Sequence, residues 1–210
     1  MKVKLENIFK PALVLFIICL VVTAALAFTY NTTKDTIDQR AVLDAENARK
    51  EVLSESESFK QLEDDEVIDI TEKIPGTGIV KEVYEGIKDT GTAGTGTAGF
   101  VFNVTNKGYG GEIDVIVGID MTGKVTGVKI GKNTETPGLG SKATDKPFLS
   151  QLTGIVPKGP LKVIKGESSG KDEEISAVSG ATVSSRAIVE AVQAALNVYK
   201  ELAKERGIAQ

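Results

Sequence analysis

Residues 100–130 read FVFNVTNKGYGGEIDVIVGIDMTGKVTGVKI, and this run decides the fold. Phe100, Phe102 and Val104 alternate with polar or smaller residues, and Ile113, Val115, Val117 and Ile119 repeat the pattern. Val128 and Ile130 follow after Asp120-Met121-Thr122-Gly123, which has the composition of a tight turn. A period of two with turn residues between the runs predicts three antiparallel strands with one apolar face. Such a small sheet cannot stand with that face bare, so it needs a cover. Downstream, Ile188, Val192, Ala195, Leu196, Tyr199, Leu202 and Ala203 fall on one helical stripe, with Arg186, Glu190, Lys200 and Glu201 largely off it. The expected class is α+β, an antiparallel sheet packed with helices and backed by a long terminal one.

Upstream of the sheet, Thr90–Gly99 is a low-complexity run that repeats Gly-Thr-Ala-Gly. It lacks the Gly-Lys-Ser/Thr ending of a phosphate loop and leads into a strand, so it reads as a flexible surface loop. Residues 55–72 carry eight acids against one Lys, the pattern of a solvated face or linker, and no chemistry is assigned to them. From Lys34 to about Ser54, Ile37, Ala41, Ala45, Ala48 and Val52 recur at helical steps without Pro or Gly, as in a stalk.

Before the stalk, every residue from Pro11 to Thr33 is uncharged and Leu13 to Phe28 is almost wholly apolar. Roughly 20 helical residues cross a hydrocarbon core of about 30 Å, so this run is long enough to span a membrane. Ala24, Ala25 and Ala27 could supply a signal-peptide cleavage site, but the apolar region of such peptides is only about 7 to 15 residues, which favours a retained anchor. Lys2, Lys4 and Lys10 outweigh the Lys34 and Arg40 that follow, which predicts a cytoplasmic N-terminus, a single pass through the cell membrane and an extracytoplasmic remainder. The expected division is a tail over 1–10, a transmembrane helix over 11–33, a helical stalk and acidic linker over 34–72 and a folded domain over 73–210.

Composition narrows the chemistry. The 210 residues are 41% hydrophobic and 26% charged, as in an ordinary globular chain. With no His and one Cys, Cys19 inside the span, a His-ligated zinc site, a Ser-His-Asp or Cys-His hydrolase, a His-held haem and a multi-cysteine iron–sulfur centre are excluded from this chain alone. The net charge of -4 gives no basic footprint, so nucleic acid is not an expected partner. Residues 34–210 hold 22 basic against 28 acidic side chains, a net of -6, which keeps them soluble beside an anionic membrane.

Two clusters remain. Ser179-Gly180-Ala181-Thr182-Val183-Ser184-Ser185 puts a Gly turn, a Thr in a cap position and two more hydroxyls where the last helix begins. A helix start leaves about four N–H groups without intrahelical partners and carries roughly half a positive charge, which favours a phosphate. Hydroxyls capping their own helix would give the same sequence. Glu135-Thr136-Pro137-Gly138-Leu139-Gly140 combines a fixed φ, two permissive glycines and a hydroxyl, which suits a loop wrapped on a flat ligand or an ordinary turn after a strand.

Taken together, Gly108-Tyr109-Gly110-Gly111-Glu112-Ile113, the strand Val115–Asp120, the Glu-Thr-Pro-Gly-Leu-Gly loop and the Ser-Gly-Ala-Thr turn resemble, in this order, a family of FMN-binding domains. The family includes the RnfG subunit of the Rnf complex, the ion-translocating ferredoxin:NAD oxidoreductase, and the NqrC subunit of the sodium-translocating NADH:quinone reductase. The resemblance covers about residues 100 to 200, and the anchor and stalk suit both subunits; the length favours the first. It implies covalent FMN, joined through its phosphate to the hydroxyl of Thr182 by a separate flavin transferase, within a complex of other membrane subunits. Ser179, Gly180, Ala181, Ser184 and Ser185 would surround the phosphate, and Glu135, Thr136, Gly138, Leu139 and Gly140 the ribityl or ring side. The chain would carry electrons as part of a translocase and hold no complete catalytic site of its own.

Two positions depart from the family pattern: Ser176 stands where an Asp is common six residues before the acceptor, and Asn133 where a His is common. A membrane-anchored FMN-binding sensor or assembly module is the rival reading. Ten residues before the span are too few for a sensor's cytoplasmic output domain. A purely structural outer domain would leave Thr182 unmodified.

Overall fold

The computed structural model describes residues 6–77, 79–89, 95–166 and 168–208. A single helix, α1 (Glu6–Val52), runs through the apolar stretch and the stalk. It is the one helix among the described residues long and apolar enough to cross a membrane. Lys2 and Lys4, on which part of the charge argument rests, lie outside the described residues.

Two compact units divide the chain, Met1–Glu46 and Asn47–Gln210. The second unit holds β1 (Ser58–Gln61), α2 (Asp64–Lys73), β2 (Val80–Asp89), β3 (Thr95–Lys107), β4 (Glu112–Asp120) and β5 (Val125–Asn133). After them come the short α3 (Lys146–Leu149), the parallel pair β6 (Lys162–Ile164) and β7 (Glu174–Ser176), and α4 (Thr182–Glu205). Strands β1 to β5 form one antiparallel sheet in sequence order.

This compact unit starts earlier than residue 73. The acidic stretch 55–72 carries β1, which pairs with β2, and most of α2, whose Val67 and Ile70 are buried in the core while its first-turn acids Asp64, Asp65 and Glu66 sit where they favour the helix dipole. The expected surface loop is also shorter than read. Residues 95–99 are strand, because β2 continues far enough to pair Asp89 with Thr95 and Ile87 with Thr97; residues 90–94 lie outside the described part.

The alternation in β3 and β4 sets the core. Phe100, Phe102, Val104, Ile113, Val115, Val117 and Ile119 are buried on one face, and Ile188, Val192, Ala195, Leu196, Tyr199 and Leu202 of α4 join them in a single cluster. Tyr199 meets Phe100 edge to face with centroids 6.2 Å apart. Each large side chain so buried contributes roughly 1.5–3 kcal/mol. The opposite face is not bare: Val52 and Leu53, at the end of α1, pack on Val101 with Phe59, Tyr84 and Ile116 around them. Gly118 and Gly127, paired across β4 and β5, clear the space for the Val52 backbone, and the Thr126 hydroxyl donates to the Val52 carbonyl.

Candidate functional site

Gly180 starts the site. Its φ of 80° lies in the left-handed region that glycine enters without strain, and the turn closes by a bond from Ala181 N–H to the Val178 carbonyl at 2.9 Å. The chain then enters α4, whose first helical bond runs from Ser185 N–H to the Ala181 carbonyl at 2.9 Å. The N-cap residue is therefore Ala181, with no side-chain cap, and Thr182 is the first helical residue instead of the cap read from the sequence. The reason is local: the turn around Gly180 hands the helix start to Ala181, and the Ser185 hydroxyl accepts from Val178 N–H at 3.1 Å, upstream of the helix. The N–H groups of Thr182, Val183 and Ser184 precede the first helical bond, where a helix presents its partial positive charge.

A pocket of about 360 Å³ opens at this helix end, lined by Tyr109, Leu139, Gly140, Gly180, Ala181, Thr182, Val183 and Ser184. Both clusters singled out in the sequence thus meet at one place, with Thr182 half-buried between them. Tyr109 (74% exposed), Leu139 (53%) and Val183 (53%) stand out from the lining. Among the described residues from 47 onward, the only other exposed large hydrophobics are Ile68 and Val156. Apolar exposure is thus concentrated around a lining of small residues, the form of a site for a flat, partly apolar ligand.

Not every residue read from the sequence reaches the pocket. Ser179 is exposed outside the lining, and Ser185 is buried behind it with its hydroxyl engaged by Val178. Thr136 and Gly138 shape the loop: the Thr136 carbonyl accepts from Leu139 and Ser141 N–H at 3.2 and 3.3 Å, and Gly138 N–H donates to Ser141 Oγ at 2.8 Å. Glu135 turns inward, only 7% exposed, and its Oε1 accepts from Tyr109 N–H at 2.8 Å and Gly110 N–H at 3.3 Å. Tyr109 and Val183 were not among the site residues read from the sequence; an aromatic residue set between glycines in 108–111 is the signal that could have found the first.

The Ser184 hydroxyl is fully buried, lines the pocket and has no partner among the described residues. An orphaned buried hydroxyl costs roughly 1–3 kcal/mol, so this one needs an acceptor close by. Around it, Gly140 and Gly180 add no side-chain bulk to the lining. Small walls, open N–H groups and an apolar rim together fit a phosphate attached to a planar ring system.

Comparison with known proteins gives the family and the fold. Residues 108–197 match the FMN-binding domain family, and residues 1–52 match the RnfG N-terminal region. The chain is 36% identical to the RnfG-type subunit of the Na(+)-translocating ferredoxin:NAD(+) oxidoreductase complex of Acetobacterium woodii, over 94% of each chain. It is 28% identical to the equivalent subunit of the ion-translocating oxidoreductase complex of Methanosarcina acetivorans, over 91% of this chain and 94% of that one. The crystal structure of NqrC from Shewanella oneidensis shares the fold, with a TM-score of 0.52 at 21% identity, over 70% of this chain and 85% of the other.

Proposed function

Since the chain belongs to the RnfG family of the ion-translocating ferredoxin:NAD oxidoreductase complexes, we propose that its pocket holds FMN esterified to Thr182 and that the protein relays electrons inside such a complex. The flavin, when bound, supplies the redox chemistry; the chain supplies binding, orientation and electrostatics. The N–H groups at the start of α4 would take the phosphate oxygens. Thr182 is the acceptor in a bond made by a separate flavin transferase, so the chain needs no nucleophile-activating base. Tyr109, Leu139 and Val183, exposed at the pocket, would give the ring an apolar surface open to solvent, as exchange of electrons with a neighbouring cofactor requires.

The apolar part of α1 anchors the protein in the cell membrane, with the tail cytoplasmic and the flavin domain outside. There a tether matters, because it keeps a cofactor at high effective concentration that diffusion would otherwise remove. The other membrane subunits of the complex are its partners. The observation that carries the reading is the pocket that brings Thr182 and the start of α4 together with the exposed apolar side chains of Tyr109, Leu139 and Val183. Flavin fluorescence should survive a denaturing gel of the native protein and vanish in Thr182→Ala; a fluorescent band persisting in that variant would move the attachment elsewhere.

A further inference from the structure

Glu135 is a buried carboxylate that does not line the pocket, yet three glycines make room for it. A side chain at Gly108 would overlap its Oε1, one at Gly140 would overlap its Oε2, and one at Gly110 would crowd its Cα. Its Oε1 accepts two backbone N–H bonds, from Tyr109 and Gly110, and so holds the turn that the Gly108 N–H to Gly111 carbonyl bond closes at 2.8 Å. Its Oε2 is buried with no partner among the described residues. The Ser184 hydroxyl, equally buried and without a partner among the described residues, lies beside the same Gly140: a Cβ there would be 3.0 Å from Ser184 Oγ. One of these orphan atoms is an acceptor and the other can donate. A buried carboxylate oxygen left without a donor is costly, and a hydroxyl rotates freely to supply one.

We propose that Glu135 is the positioning residue of this pocket. One carboxylate oxygen fixes the Gly108–Gly111 turn, and with it Tyr109, at the pocket mouth; the other takes the hydroxyl of Ser184 at the third residue of α4. The turn and the helix start are then clamped to one buried group, so the ring-facing and phosphate-facing sides of the pocket keep a fixed spacing. The clamp is a property of this chain's own residues; its consequence for the ligand rests on the flavin reading.

The test uses the full-length protein in detergent with Glu135→Ala, Glu135→Gln and Ser184→Ala, read by site-resolved amide exchange and by the visible circular dichroism of the bound flavin. Glu135→Ala should speed exchange of the Tyr109 and Gly110 amides about tenfold, the size expected for a lost bond to a charged acceptor, while the Val115 and Val117 amides of β4 stay at the wild-type rate. Ser184→Ala should speed the same two amides by a smaller factor, about threefold. Glu135→Gln keeps an acceptor oxygen and should restore both slow exchange and the flavin dichroism that Glu135→Ala loses while still carrying flavin on Thr182. Wild-type exchange at Tyr109 and Gly110 in Glu135→Ala, or in Ser184→Ala, overturns the clamp, as does failure of Glu135→Gln to rescue. Faster exchange spread equally to Val115 and Val117 also overturns it, since that is general loosening. If the native protein carries no flavin, the flavin reading fails, and the exchange arms still decide the role of Glu135.

Discussion

Helices α1 and α4 are both long and rich in apolar residues, yet every side chain of α1 from Phe9 to Ile37 is exposed, whereas α4 buries 14 of its 24 residues. In α1 the apolar residues run all round the helix; in α4 they form a stripe with Arg186, Glu190 and Lys200 exposed on the other side. The first pattern suits a hydrocarbon solvent, the second a sheet. Their hydroxyls differ in the same sense. Thr29, Thr32 and Thr33 of α1 donate to carbonyls four residues back, at 2.8–2.9 Å, so the helix satisfies itself. Ser185 of α4 accepts from Val178 N–H outside the helix, and Ser184 has no partner among the described residues. One helix is closed to its surroundings in hydrogen bonding; the other turns its polar groups outward at the end where the pocket lies.

If the contrast is right, substitutions should sort by helix. Leu202→Ala in α4 removes a fully buried side chain and should cost about 2–5 kcal/mol in urea unfolding of the detergent-solubilised protein. A smaller loss is expected where the last turn of α1 packs on the sheet within the second unit: Gly118→Ala puts a methyl into the Val52 carbonyl and should cost about 1–3 kcal/mol, and an unchanged midpoint would show that this contact yields easily.

Smaller again is the effect of Glu85→Gln at the far end of α4, where Arg206 bridges Glu85 and Glu66 at 2.9 Å each. Burial raises the Glu85 pKa, but the Thr97 hydroxyl and the Arg206 guanidinium outweigh it and hold the group below the ordinary carboxylate value. A carboxylate whose pKa is depressed on folding adds stability above its unfolded value and loses it as pH falls through the folded one. After discounting for solvent screening, the variant should lose less than about 1 kcal/mol at pH 7, and its melting temperature should converge with wild type as the solution is acidified below the ordinary carboxylate range. A gap that widens on acidification would reverse the sign assigned to Glu85. Leu20→Ala in α1 should leave the unfolding of the second unit unchanged within about 0.5 kcal/mol, and a cost like that of Leu202→Ala would erase the distinction between the helices.

The legible parts of the molecule were those where periodicity and burial coincide. β3, β4 and the stripe of α4 alternate or recur without interruption, and so does the apolar part of α1. β2 was not legible because register shifts between Val80 and Glu82 and between Gly86 and Ile87 break its alternation, leaving Val80, Val83 and Ile87 at spacings of three and four that mimic a helix. The acids of 55–72 masked β1 and α2, since only Leu62, Val67 and Ile70 there belong to the core and the charges dominate the composition. At the pocket, Thr182, Gly180, Ala181, Ser184, Leu139 and Gly140 line one cavity, so the two motifs meet in space. Glu135 and Ser185 do not, because their polar atoms are drawn to backbone N–H groups of Tyr109, Gly110 and Val178, long-range or turn contacts that no spacing rule specifies.

The mass of the native full-length protein, localised by peptide fragmentation, tests the central claim most directly. An added FMN phosphoester on the peptide that contains Thr182, missing from Thr182→Ala, is the predicted result. An unmodified Thr182 peptide from protein purified out of a cell that makes the flavin transferase would contradict it.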